Sequence, residues 1–476
     1  MIKKNYFLLL FLAAVTTLKV QAQYSSQNIT FVGNWYNPSQ PPEPTYGIKY
    51  NSVWGWVDTA DSNKEYAILG SGLGTHIIDI SVPSNPVQID FVAGRRDECI
   101  WREYKTYGNY LYAISDDGAP NSFQIIDMSY LPDSVHVVHD DTTIVERAHT
   151  LFIEGDKLYI GSVKEHSPGG GVYSMAVYSL ANPEVPLLLR ALNQDYPSIT
   201  WVHDMYVRND TVYASCGFDG LYIYKYNAGT NNFTALNSLT SYPDQGYNHS
   251  SALTPNSHTL VFCDEVPENT LLKVLDVTDV TNLSILDTFK SNEGATPHNP
   301  YIWGTDRVVI AYYQDGLQIF DISNPTNVTK TGFFDTDTLH GLNDGFPAGS
   351  TYHGAWGAYI DLPSGLFLVG DMQNGLFVLN PSLALGVTEN NINENNVSVF
   401  PNPTNNYCSI TINLTQSEAI LFELFDVTGK KIFSKAETIG AGNSTRTILM
   451  DQYKSGMYIL KMTGKDIYYT QKIIKK

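Results

Sequence analysis

The amino-acid sequence predicts an all-β fold: a seven-bladed β-propeller followed by a small C-terminal β-sandwich. Three observations lead there. An apolar strand phrase recurs seven times at roughly even spacing, no helical 3.6-residue period interrupts the repeats, and an Asn-rich break separates them from a second strand-rich segment.

The clearest copies of the phrase are Gly74-Thr-His-Ile-Ile-Asp-Ile-Ser81 and Gly316-Leu-Gln-Ile-Phe-Asp-Ile-Ser323, each followed by an Asn-Pro pair. Weaker copies are Phe123–Met128, Met175–Ser179, Leu221–Tyr224, Leu272–Val277 and Leu376–Leu379. A second apolar strand precedes each: Tyr66–Leu69, Tyr110–Ala113, Leu158–Ile160, Val212–Ala214, Leu260–Phe262, Val308–Ile310 and Leu366–Val369. Intervals of roughly 45 to 60 residues with about four short strands apiece are blade-like, because one sheet cannot bury both faces without neighbours. Seven copies give seven blades, with six or eight as the alternatives. The Asp of Asp-Ile-Ser sits where a carboxylate caps turn amides, so Asp79 and Asp321 read as structural.

A blade ends in an outer strand such as Val87–Val92 or Val328–Phe334, and the seventh copy has none before Asn380-Pro381. The segment Ile29–Trp35, ahead of blade one, resembles those outer strands. Paired into blade seven it would remove the open edge and lock the ring.

The 476 residues are 43% hydrophobic, 12% aromatic and 16% charged, with 32 Tyr and 36 Gly, a composition suited to pleated surfaces and tight turns. A net charge of -19 argues against nucleic acid or an anionic membrane as partner. Cys99, Cys216, Cys263 and Cys408 are far apart and form neither a zinc cluster nor a redox pair. Lys3 and Lys4 before an apolar run to Leu18, then Val20-Gln-Ala22, predict a secretory signal peptide over 1–22. No Cys follows the cleavage site, which argues against a lipid anchor. No other stretch has the ~20 apolar residues of a transmembrane segment. The domain order expected is signal peptide 1–22, propeller 29–382, Asn-rich linker 383–396 and C-terminal domain 397–476.

The chemistry-bearing residues fall on one face of the predicted ring. His149, His203, His249, His298 and His353, five of the eleven histidines, occupy the start of the innermost strand in five blades. The turn after the second strand lies at the same end of its hairpin, and those turns are acidic: Asp116 and Asp117, Asp219, Asp264 and Glu265, Asp315, Asp371. Imidazoles around a funnel with carboxylates above them suit a divalent zinc, iron or copper ion, held by three or four of the group. The opposing reading is that the histidines only hydrogen-bond neighbouring blades. No Gly-x-Ser-x-Gly elbow or phosphate loop is present, and Gly169-Gly-Gly171 reads as a turn. Trp54, Trp56, Trp201, Trp303 and Trp356 near the inner strands read as inter-blade packing rather than a sugar platform.

The repeats, Leu317-Gln-Ile-Phe-Asp-Ile-Ser323 above all, resemble the LVIVD-repeat propellers of choice-of-anchor B surface proteins over about residues 45–381. The third and fourth copies lack the Asp of that pattern. Pro401-Asn-Pro403, Asp426, Gly429-Lys430, Gly456-Met-Tyr458 and the basic Lys472-Ile-Ile-Lys-Lys476 resemble the type A C-terminal sorting domain of the type IX secretion system of Bacteroidota. The resemblance implies the type IX secretion machinery as a partner and a secreted or outer-surface location. The expected function is binding of an extracellular ligand, through a metal, at the His/Asp-lined tunnel mouth. The alternatives are a metal-dependent hydrolase or oxidoreductase at the same site, or a purely structural adhesin.

Overall fold

In the computed structural model the described residues are 24–118, 121–164, 171–337, 352–384, 397–426, 431–464 and 468–476. The predicted signal peptide, most of the Asn-rich linker and Gly429-Lys430 lie outside them. The chain divides into two compact units, Met1–Ala384 and Leu385–Lys476.

Among the described residues the first unit holds seven antiparallel sheets. Their innermost strands are Tyr50–Val57, Arg102–Tyr107, Thr150–Glu154, Asp204–Arg208, Asn248–Leu253, Asn299–Trp303 and Ala355–Tyr359. Each touches the next, and the strand of blade seven returns to that of blade one, so the ring is closed. Between sheets lie apolar layers such as Val309, Leu317, Ile319, Phe367, Val369 and Phe377, all buried. Trp54 meets Tyr359 of blade seven at 4.8 Å, and Trp303 meets Phe367 at 5.0 Å. Trp201, 39% exposed, is the outward-lying member of the expected five tryptophans.

The predicted closure is present. Thr30–Trp35 pairs antiparallel with Gly375–Asn380 as the outer strand of blade seven, with Thr30 opposite Asn380 and Trp35 opposite Leu376. A Cβ on Gly33 would stand 2.1 Å from the Pro83 carbonyl oxygen, so this strand passes blade one at a separation only glycine permits. One feature was not foreseen. Ser26–Gln27 adds a fifth strand to blade six, opposite Phe334 and Phe333, so the N-terminal segment ties two blades together. Tyr24 seals the junction against Phe31, Phe334 and Phe377 at 5.8, 5.3 and 5.2 Å. Ala384 is fully buried in the same cluster. The propeller unit therefore extends beyond the expected 29–382 at both ends.

The Asp-Ile-Ser carboxylates are turn caps. Asp79, Asp127, Asp276 and Asp321 each accept the amide two residues on, at 2.7 to 2.9 Å. Where the Asp is missing, Ser179 and Asn380 accept the equivalent amides.

Among its described residues the second unit has seven strands in sheets of three and four around Ile410, Ile412, Phe422, Leu424, Leu460 and Ile473. Its basic end is held by the Pro-Asn-Pro loop: the Ile474 amide donates to Asn402 at 2.9 Å and the Lys476 amide to Thr404 O at 2.8 Å. All four cysteines are buried and unpaired.

Two groups in the blades test this packing. His76 lies 5.0 Å from Trp35 of the closing strand and is bound by Gln88 and Ser71. Burial pushes its pKa from 6.5 down to about 4. The folded chain keeps it neutral, so its contribution is whole above about pH 6.5 and is lost as pH falls towards 4, by about 3 kcal/mol. Urea titrations at pH 7 and pH 4 should show a correspondingly smaller acid loss for His76→Gln. In blade five, Lys273 Nζ meets Asp264 at 2.6 Å with both side chains fully buried. Removing one partner strands the other charge, so Lys273→Met should lower the unfolding free energy by about 3–5 kcal/mol. Adding Asp264→Leu should restore most of it, as read by the same titrations.

Candidate functional site

Equivalent positions of adjacent inner strands lie side by side, so a residue repeated at the strand start must meet its copies. His149, His203, His249 and His298 do so. Their ring centroids are 4.1, 4.3 and 4.4 Å apart in sequence round the ring, each pair tilted by 48–49°.

One nitrogen of each ring is already engaged. His203 Nδ1 donates to His249 O at 3.1 Å, and His298 Nδ1 donates to Trp356 O. His249 Nδ1 donates to Ser250 Oγ at 3.1 Å, which in turn donates to His298 O at 2.6 Å. Carbonyls only accept, so these bonds place the proton on Nδ1 and the lone pair on Nε2. Burial, then the neighbouring imidazoles, holds His203 and His249 well below the usual pKa, and burial brings His298 to about 3. The three rings are neutral at neutral pH. Burial also acts on His149, but Asp116, 2.5 Å from its Nδ1, outweighs it and raises the pKa.

The stack stops at His298, where Tyr313 (4.7 Å) and Trp356 (5.0 Å) cover the ring. His353 lies two residues ahead of the blade-seven strand and does not continue it. Gly354, at φ +84°, turns the chain there against the Tyr313 backbone, and the strand carries a register shift between Ala355 and Gly357.

The expected row of acids divides. Glu265 Oε2 faces His249 Nε2 at 3.7 Å, and its Oε1 accepts the Tyr313 hydroxyl at 2.6 Å. Asp116 pairs with His149, whereas Asp117 accepts the amides of Ile100 and Trp101. Asp264 is spent on Lys273, and Asp219 is exposed on the surface. Asp315 accepts Ser291 Oγ and Asn292 Nδ2. Asp371 accepts the amides of Gln373 and Asn374, and burial pushes its carboxyl up to about 6. Asp219, Asp264, Asp315, Asp371 and His353 thus stand apart from the cluster; Asp371 satisfies the amides of its own turn, as turn carboxylates commonly do, while Asp264 and Asp315 take partners from elsewhere in the blades.

Among the described residues, one group has metal-ligand geometry. His203, His249 and Glu265 each offer an atom, all within 4.8 Å of one another. Ligand atoms about 2.0–2.2 Å from a tetrahedral zinc sit roughly 3.4 Å apart, so modest side-chain rotation closes the shell. Of the supporting residues, Trp356 was read from sequence only as inter-blade packing, and neither Ser250 nor Tyr313 was expected at a metal site. Ser250 adjoins His249, and Tyr313 lies in a turn equivalent to those of the acids, which is the signal that could have found them.

The imidazoles line one cavity of about 350 Å³ that extends to Arg208 and Asp361. Its wall carries Glu103, Lys105 and Asp204, which the sequence reading also left out.

Residues 398–476 match the secretion system C-terminal sorting domain. Residues 65–92 and 308–336, the second to fourth strands of blades one and six, match the LVIVD repeat. No curated protein matches the chain. Among solved structures the chain is similar to the Pseudomonas aeruginosa periplasmic gluconolactonase PpgL: 10% identity over 84% of this chain and 99% of that one, TM-score 0.47. It is also similar to PorZ, a surface component of the type IX secretion system of Porphyromonas gingivalis. There the identity is 10% over 87% of this chain and 64% of that one, TM-score 0.42. Likenesses at this level say nothing of activity. The matched segments and the seven closed sheets make this chain a β-propeller with LVIVD repeats and a C-terminal sorting domain, secreted or displayed at the cell surface through type IX secretion.

Proposed function

We propose that this secreted propeller binds a divalent transition metal at its tunnel mouth through His203, His249 and Glu265, and through it an extracellular ligand. The observation that carries the reading is the convergence of two neutral imidazoles and a carboxylate within 4.8 Å. Their chemistry supports it. With the proton held on Nδ1, His249 Nε2 presents a lone pair to a carboxylate oxygen 3.7 Å away. Two acceptors facing each other are mutually unfavourable until a cation or proton lies between them. Tyr313 donates to the far oxygen of Glu265, and the Ser250 relay orients His249, as outer partners of metal ligands commonly do.

Two imidazoles and one carboxylate suit zinc, iron(II) or copper(II) and leave coordination positions for a ligand atom. His298 Nε2, next in the stack, is a candidate fourth donor. The same open positions are what a hydrolase or oxidoreductase would use, and turnover of a model ester by the metal-loaded protein would favour that alternative.

The test is metal uptake by the chelator-stripped mature chain, read by elemental analysis after dialysis against zinc, iron(II) or copper(II). About one equivalent is expected. Asn at position 203 can still donate to His249 O but carries no imidazole lone pair, so His203→Asn should keep the fold. It should weaken binding by more than about 100-fold, as should Glu265→Gln. Equal uptake by both variants, or none by the native chain, overturns the proposal.

A further inference from the structure

The tunnel beneath the imidazoles holds charges that the metal site does not use. Glu103 and Asp204 lie on the inner strands of blades two and four and line the cavity. Ser52 donates to Glu103 Oε2 at 3.0 Å, and Thr150 to Asp204 Oδ1 at 2.8 Å, so each carboxylate is positioned by the neighbouring blade. Among the described residues neither makes an ion pair. Beside them Lys105 lies 4.0 Å from the centre of the Trp54 ring and donates to Tyr104 O.

The charges there do not balance. His149 and Asp116 neutralise one another at the mouth, and Arg208 and Asp361 at the far end contribute one charge of each sign. Between them stand two carboxylates and one ammonium. The wall beside them is aromatic: Trp54, Phe152, Tyr206 and Tyr301. A further polar group on this wall lacks a partner. Ser251 is 7% exposed, and its hydroxyl is buried with no hydrogen bond. Buried hydroxyls in that state call for an acceptor or donor from elsewhere.

We infer that the tunnel is a second binding site, for a small organic ammonium compound. Its ammonium sits between Glu103 and Asp204, and its stem lies against Trp54, Phe152 and Tyr301. The cation restores neutrality in a desolvated space, and the aromatic faces favour the polarised carbons next to nitrogen. The whole cavity, about 350 Å³ with the imidazole level included, lies at the small end of the range for ligand pockets, which suits a small ligand. This site shares no ligand residue with the proposed metal centre.

Calorimetric titration of the chelator-stripped full mature chain with butylammonium chloride tests the inference, with 1-pentanol and glucose as neutral controls. Saturable binding of the amine alone is expected with no metal present, which separates it from the metal site. Glu103→Gln and Asp204→Asn keep the shape and the hydroxyl bonds, and each should weaken binding about 10- to 100-fold. Lys105→Met removes the competing cation and should tighten binding, which a merely structural lysine would not do. Absence of amine binding, equal binding of pentanol, binding of glucose in preference, or unaltered affinity in the two carboxylate variants overturns it.

Discussion

Everything at the axis depends on one piece of strand pairing, that of Thr30–Trp35 with Gly375–Asn380. The inner strands of seven sheets hold equivalent residues at one height only while the ring is shut. An open ring would let blades one and seven part and would expose a sheet edge in each. The closing strand is short, but it is not alone. Ser26–Gln27 continues onto blade six and Tyr24 packs under the junction, so the N-terminal segment clasps two blades instead of one. The burial of Ala384 beside them brings the end of the unit to the same place.

With the ring shut, the histidines serve two purposes that looked exclusive. Nδ1 of His203 and His298 fastens each blade to the next through a carbonyl, and His249 does so through Ser250. That is the structural role. The same bonds fix the tautomer, so the opposite nitrogen of each ring presents a lone pair. A staple made of imidazole therefore prepares a ligand as a consequence of its own hydrogen bonding. An amide staple would hold the blades equally well without doing so.

The carboxylates show the same economy of buried charge resolved in different ways. Asp264 meets a lysine, Asp371 collects amides, and Glu265 takes one phenol hydroxyl on one oxygen and turns the other towards His249. Glu103 and Asp204 receive only hydroxyl and amide donors and face the open tunnel. Unbalanced anions gather on the axis, where solvent or a ligand can reach them, while those within the blades are paired. This distribution separates the carboxylates that build the ring from those able to act on something entering it.

The sequence by itself determined the blade count, the closure by Ile29–Trp35, the turn-capping role of Asp79 and Asp321, and the seven-strand C-terminal unit. These follow from period, alternation and turn chemistry, which act over a few neighbouring residues and repeat. It also placed five histidines at one repeat position and a row of acids at the same face. Which of those twelve residues converge was decided only by tertiary structure. His353 drops out because Gly354 and a register shift redirect one strand start. Asp264 and Asp315 drop out because partners from other strands and turns, Lys273 and Ser291, take them; Asp371 is taken by amides of its own turn, and Asp219 faces solvent. Glu103, Lys105 and Asp204 escaped notice for the complementary reason. Nothing in their local patterns marks them, and only a closed ring brings blades two and four to a common cavity.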